Sequence, residues 1–276
     1  MYARGMKITA RINTFNEEAN LAAALESVAW ADEILIVDSF STDRTLEIAR
    51  RYTERVVSYE FKGYGDKHNY ADSLSTHDWV LALDADERVT PELRDAILAL
   101  RGAGAACDGF RIARRTWYLN RWIRHSGWYP DYQTRLYRRA ATRWEGEPPH
   151  EAPKVRGRVE TLPGDLLHFT RRDLHEHIEV MNRYTDIAAA GRFAAGRRPS
   201  WRRLWLAPPW TFLRSYVFRQ GFRDGLAGLI IAYLAAFYVH AKEAKLFERY
   251  RGLPAPEAAL PESSRAESPA PASHVP

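Results

Sequence analysis

Cysteine is almost absent. Cys107 is the only one in 276 residues, so no intramolecular disulfide framework holds this chain, and a reducing compartment fits it. Residues 1–18, MYARGMKITARINTFNEE, contain no apolar core of signal-peptide length, which makes a cytoplasmic protein the expectation. Long apolar runs are scarce: 225-GLAGLIIAYLAAFYV-239 falls short of the roughly 20 residues that span a bilayer. There is no HExxH pattern, and His175 and His177, two apart on a predicted helix, do not face each other, so a zinc reading fails. Internal repeats are absent as well.

The charge balance is mildly basic, +5 at neutral pH, and uneven. Arginines crowd into 111-RIARRTWYLNRWIRH-125, 135-RLYRR-139 and 197-RRPSWRR-203, among tryptophans and tyrosines, whereas the N-terminal third is acidic or balanced. One face is therefore expected to meet something anionic.

The first hundred residues alternate apolar strands with helical periodicity. Strands are predicted at 7–12, 33–38, 55–59 and 79–83, with helices after Asn16, after Asp43, over 66–74 and from Thr90-Pro91-Glu92. Such alternation gives a mostly parallel sheet with helices on both faces, whose ligand lies beyond the carboxyl ends of the strands. Asp38 and Asp84 both stand at such ends. Past residue 105 the pattern turns to short strands and aromatic loops, then to a helix from Asp173 carrying Leu174, Ile178, Tyr184 and Ile187. The expected organisation is a strand–helix half over 1–105, a half of short strands and aromatic loops over 106–195, an aromatic helical extension over 196–253 and a disordered tail over 254–276.

The stretch 79-WVLALDADERV-89 carries the sharpest chemistry. Residues i and i+2 of a strand point to one side, so Asp84 and Asp86 face one site if the extended geometry persists beyond Leu83. Two carboxylates on one side call for a cation, and hard oxygen ligands suit Mg²⁺ or Mn²⁺, which complete their shells with water and phosphate oxygens. The pattern reads as a place for a metal–diphosphate, although a D-x-D alone also arises by chance.

The ordered motifs TFNEEANL (14–21), ILIVDSFSTDRTLEIA (34–49), GYGDKHNYA (63–71) and WVLALDADERV (79–89) resemble glycosyltransferase family 2, with its GT-A fold. GWYPDYQTRLYRR (127–139), PPHE (148–151) and GDLLHFTRRD (164–173) are similar to its lipopolysaccharide-core branch, and the resemblance covers about residues 6 to 250. It implies a GT-A-like α/β fold and a nucleoside-diphosphate-sugar donor, UDP being the usual nucleotide. On matching positions it implies nucleotide contacts at Thr14, Asn16, Glu17, Asp38 and Ser41, and at Lys67 and Asn69 beside the phosphates. Asp86 would be the principal metal ligand, with Asp84 leaning toward ribose or metal. Arg135 or Arg138 would pair with the diphosphate, and His150 would complete the metal shell or line the acceptor site. Residues 1–105 would form the nucleotide-sugar-binding half and 106–195 the acceptor-binding half. His168, after an apolar pair in a predicted strand, reads as a packed or hydrogen-bonded histidine.

The family inverts, so one carboxylate base suffices. Asp131, where the family has an acid pair, and Glu151 are the candidates, with Asp131 favoured. Pro130 stands where the pair's first acid would be. The acceptor implied is a glycolipid or phosphorylated saccharide, which the aromatic–basic stretch over 114–129 suits by stacking and charge pairing. Nucleic acid is not an expected partner. Trp201, Trp205 and Trp210 beside arginines, ahead of the apolar run, read as an anchor on the cytoplasmic face of a membrane. A helix pair closing the site, or a dimer interface, remains open. Competing functions are a nucleotidyltransferase, which lacks its glycine-rich signature here, an aspartate phosphohydrolase, and a non-catalytic lipid- or nucleic-acid-binding module. No QxxRW of processive synthases is present, which favours addition of a single sugar.

Overall fold

The computed structural model describes residues 6–103, 105–146, 151–170 and 173–252. His150 and the tail beyond Gly252 lie outside them. Four parallel strands make the N-terminal side of the sheet: β1 (Ile8–Thr14), β2 (Glu33–Asp38), β3 (Val56–Ser58) and β4 (Trp79–Asp84), in the order β3-β2-β1-β4. Strands β2 and β4 are apolar runs ending in an acid, whereas β1 alternates apolar Ile8, Ala10 and Ile12 with polar Thr9, Arg11 and Asn13. All three are largely buried because helices cover both faces of the sheet. The helices are α1 (Leu21–Ser27), α2 (Thr45–Arg50), α3 (Tyr64–Leu74) and α4 (Pro91–Ala103).

The sheet continues from β4 through β8 (Asp131–Arg138), β6 (Gly109–Tyr118) and β11 (Val159–His168) to β5 (Glu87–Val89). Strand β8 runs antiparallel to both β4 and β6, while β6 and β11 are parallel. The short β7 (Arg121–Trp122) pairs with β6, and β9 (Thr142–Glu145) with β10 (Ala152–Val155). The fold is thus the expected α/β sheet flanked by helices, with a C-terminal helical extension.

Register explains where the acids stand. Thr14 pairs with Asp38 on one side of β1, and Asn13 with Asp84 on the other. The central strand thereby brings two acidic strand ends to the same edge. Beneath them Leu25, Leu83, Leu93 and Ile97 are fully buried, each contributing about 1.5–3 kcal/mol by leaving water.

Three local expectations change. Asn16 does not cap α1; it takes a positive φ of 54° and binds the loop after β2 instead. On α5 (Leu174–Ala194) the buried residues are Val180, Met181, Thr185 and Ala189, while Leu174, Ile178 and Ile187 are exposed. The apolar run at 225–239 belongs to a longer helical segment, Gly221–Arg251, which by length and composition can cross a membrane, with a third of its most apolar window buried.

The chain divides into two compact units. The first runs to Glu176 and includes Ser215–Ile231, the start of α7 (Gly225–Arg251). There Asp224 accepts the backbone amides of Arg124 and His125 and faces His125 Nδ1 at 3.1 Å, fastening the loop after β7. The second unit holds His177–Arg214 and the chain from Ala232. In it α6 (Trp201–Leu213) meets α7 through Trp201 on Phe247 and the His240 Nδ1 contact with the Leu204 carbonyl. Glu243, almost wholly buried, is held by Arg192 and the Ser200 amide.

A bulge in β11 sets the register of the site. Pairing with β6 shifts between Thr161 and Asp165, after which His168 lies opposite both Thr116 and Glu87. Gly164 makes the bulge possible with φ of 87°, and a Cβ there would collide with the Leu93 backbone. Strain and overpacking coincide, so Gly164→Ala should lower stability by about 2 kcal/mol or more in urea unfolding.

Candidate active site

The loops after β1 and β2 lock together through short polar side chains. Asp38 is fully buried; its Oδ1 accepts from the hydroxyls of Thr14 at 2.8 Å and Ser41 at 2.5 Å, and its Oδ2 from the Ser41 amide. Ser41 Oγ in turn accepts the Asn16 amide, and Asn16 Oδ1 accepts the Thr42 amide. Asp43 receives the amides of Thr45 and Glu18, joining the start of α2 to the loop before α1. Thr14, Asn16, Glu17, Asp38 and Ser41 are thus brought together, with Asp38 beneath the others.

Lys67 reaches this group from α3. Its Nζ donates to the Thr14 carbonyl at 2.9 Å and to Ser39 Oγ at 2.7 Å. Burial lowers its pKa to about 8 against the opposing pull of Asp38 and Asp84. Its neighbour His68 stacks on Trp144 with ring centroids 3.7 Å apart. His68 Nδ1 meets Arg11 Nη1 at 2.7 Å and Asn13 Nδ2 at 3.1 Å. Both partners are donors, so Nδ1 is the acceptor, and burial with the Arg11 charge holds the ring well below its ordinary pKa. Arg11 also binds Asp72 and Tyr137, a fully buried cation with its counter-ion inside the sheet-helix layer. Asn69 uses both ends of its amide on the Trp144 backbone, bracing β9.

Strand β4 ends at Asp84, and residues 85 and 86 form a turn, so the extended geometry does not carry on to Asp86. The two aspartates consequently take different partners. Arg135 Nη2 lies 2.6 Å from Asp84 Oδ2 and 2.6 Å from Glu87 Oε1. Burial alone would raise the Asp84 carboxyl, but Arg135, with Arg114 further off, holds it well below the usual carboxylate range. For Glu87, burial outweighs the arginines and raises it. Asp86 Oδ2 faces His168 Nε2 at 3.2 Å, and its carbonyl accepts the Phe169 amide.

Sequence reasoning gave Glu87 no role and read His168 as a packed or hydrogen-bonded side chain without a place in the site. Each joins the site through strand pairing to a distant segment. An arginine at a buried strand position, as at 135, was the one signal that a counter-ion must lie nearby.

The base candidates sit differently. Asp131 Oδ2 accepts from Arg114 Nε and Nη2 at 3.0 and 2.7 Å, and Oδ1 from Gln133. Arg114 Nη1 also reaches Glu87, at 3.3 Å, which joins Asp131 to Asp84 by alternating charges. Glu151 lies against the start of α3: its Oε1 accepts the Gly65 amide, and its Oε2 is buried with no hydrogen-bond partner among the described residues. Several members of the aromatic–basic stretch are spent internally, with Arg115 on Asp165, Tyr129 on Asp165, and Trp117 against Trp122.

Among the described residues no group of three or more His, Cys, Asp or Glu side chains forms a metal-holding cluster. The pair Asp86 and His168 nonetheless fits a divalent cation, which needs only one or two protein ligands when phosphate and water supply the rest. Glu17 points the same way: burial raises its carboxyl, and the negative charges of Asp86, Glu176 and Asp43 add to the rise. A cation would relieve that field. Asp84, already on Arg135, is engaged elsewhere.

The family model described as "Glycosyl transferase family 2" matches residues 10–154, more than half of the chain. The lipopolysaccharide core biosynthesis glycosyltransferase LpsC of Rhizobium meliloti is 32% identical over 253 residues, covering 89% of this chain and 93% of its own. This chain belongs to glycosyltransferase family 2. An uncharacterized glycosyltransferase of Rickettsia prowazekii is 28% identical to the transferase over 261 residues, 87% of this chain and 86% of that one. Among solved structures, Staphylococcus aureus TarS 1–349 in complex with UDP-GlcNAc aligns with a TM-score of 0.46 at 17% identity, over 90% of this chain and 92% of that chain.

The depressed pKa of Lys67 gives a pH signature. In the folded transferase this amine loses its proton near pH 8, in the unfolded chain near 10.5. The unfolded state therefore binds more protons between those values, and stability rises with pH across that window. Urea midpoints of the wild type should gain between pH 7 and 9.5 relative to Lys67→Met, whose profile should be flatter. Equal slopes would contradict the burial of a charged Lys67.

Proposed function

We propose that this transferase moves one sugar from a nucleoside-diphosphate sugar, with UDP as nucleotide, to a glycolipid or phosphorylated saccharide acceptor, with inversion. One observation carries the reading: Asp38 and Asp84 stand at neighbouring carboxyl ends of the parallel strands, beside the buried Lys67, and Asp86 follows in the turn after β4. The half up to residue 105 then binds the donor, and residues 106–195 shape the acceptor side.

Thr14, Asn16, Glu17 and Ser41 receive the nucleoside, and Asp38 fixes the hydroxyls of Thr14 and Ser41 from below. Lys67 brings positive charge toward the diphosphate, while Asn69 supports that wall by holding β9. Asp86 and His168 would hold Mg²⁺ or Mn²⁺, and such an ion, when bound, takes up charge developing on the leaving diphosphate. Arg135 keeps Asp84 ionised and oriented beside them.

Asp131 takes the proton of the acceptor hydroxyl. Its side chain is a third exposed, and Arg114 fixes its direction. Burial of Glu151 Oε2 argues against Glu151, because a base must reach its substrate. The name of the Rhizobium relative supports an acceptor resembling a lipopolysaccharide core. Exposed Trp201, Trp205 and Trp210 on α6, with Arg202 and Arg203 between them, support attachment to the cytoplasmic face of a membrane.

A thermal-shift panel of UDP, GDP and dTDP, each with and without Mn²⁺, tests the donor. UDP with Mn²⁺ should raise the melting temperature; if no nucleoside diphosphate does, the reading is wrong. For the base, Asp131→Asn should cut UDP release from the sugar nucleotide in the presence of acceptor by at least ~100-fold. UDP affinity should stay within about tenfold, and Glu151→Gln should keep most turnover.

A further inference from the structure

Glu87 is a fully buried carboxylate that sequence reasoning gave no role. It stands on β5, opposite His168 of β11, one residue past the turn that carries Asp86. Its Oε1 accepts Arg135 Nη2 at 2.6 Å and Arg114 Nη1 at 3.3 Å, and its Oε2 accepts the Asp84 amide at 3.1 Å. The same Arg135 nitrogen binds Asp84, and Arg114 holds Asp131 with its other two nitrogens. Three carboxylates and two guanidiniums therefore alternate in one line: Asp84, Arg135, Glu87, Arg114, Asp131. Its inner members are largely shielded, since the Arg135, Glu87 and Arg114 side chains are 6%, 0% and 22% exposed, whereas Asp84 and Asp131 are 39% and 33% exposed. The open ends are the donor-side acid and the acceptor base.

We propose that Glu87 is a positioning residue that couples the donor end of the site to the base by sharing itself between Arg135 and Arg114. This rests on the reading of Asp131 as base and of the Asp84 end as the donor site. The coupling follows from competition within a shielded network, where one partner's loss re-aims the others. Without the Asp131 charge, Arg114 turns fully onto Glu87. Glu87 then releases part of its hold on Arg135, which draws closer to Asp84 and takes that carboxylate from the nucleotide side.

Titration calorimetry with UDP and Mn²⁺ on the full chain tests this in four proteins: wild type, Asp131→Asn, Glu87→Gln and the double variant. Asp131→Asn should weaken UDP binding by about threefold or more in the wild-type background, a size ordinary for coupled networks. In the Glu87→Gln background the same change should leave affinity within about 1.5-fold, because a neutral amide cannot transmit the shift. Glu87→Asp, which keeps the charge on a shorter stem, should restore part of the coupling. Arg114→Lys, which loses the bidentate grip on Asp131, should abolish it, and serves if Glu87→Gln does not fold. Equal factors in both backgrounds, or no effect of Asp131→Asn in either, would overturn the proposal. Wild type that binds no nucleoside diphosphate would overturn the donor reading, and this inference with it.

Discussion

A single buried cation organises the working edge of this sheet. Arg135 stands on the strand that joins the parallel side to the mixed side, and its guanidinium bridges Asp84 at the end of β4 to Glu87 on β5. Charges this deep are costly to desolvate, and removing one partner leaves the others uncompensated. The arrangement therefore fixes three elements at once: the end of β4, the turn carrying Asp86, and the short strand whose pairing with β11 brings His168 to that turn.

The nucleotide side obeys a different rule. There the backbone of two loops is held by hydroxyls and carboxylates, with Asp38 at the centre. A buried acid satisfied by hydroxyl and amide donors keeps the loops still. Deeper in the layer, Arg11 with Asp72, His68 and Tyr137 does for α3 what Arg135 does for the turn. Its consequence for chemistry is indirect: His68 is kept neutral and Lys67, next to it, is aimed at Thr14 and Ser39.

The parallel strands and the strand-end placement of Asp38 and Asp84 were legible in the sequence, because apolar runs buried on both faces leave a clear pattern. The four ordered motifs made the family legible too. What stayed hidden were partnerships between distant segments. Nothing near residue 87 announces that its carboxylate lies between arginines 114 and 135, and nothing near 168 shows that a bulge at Gly164 turns that histidine toward Asp86. Asn69 shows the opposite case. A polar residue in a binding motif invites a ligand contact, yet both ends of its amide are occupied by the Trp144 backbone. The C-terminal run looked too short for a bilayer because an uninterrupted apolar count stops at residue 239, whereas the helix extends to Arg251.

The central claim is that the turn after β4 and the end of β11 together hold a metal–nucleotide. Electron paramagnetic resonance of free Mn²⁺, followed as UDP and protein are added, tests it without needing a sugar or an acceptor. The account expects the free-ion signal to fall with wild type and UDP far more than with UDP alone, and to recover with Asp86→Asn and with His168→Ala. Loss of signal that is the same in both variants as in wild type would contradict it.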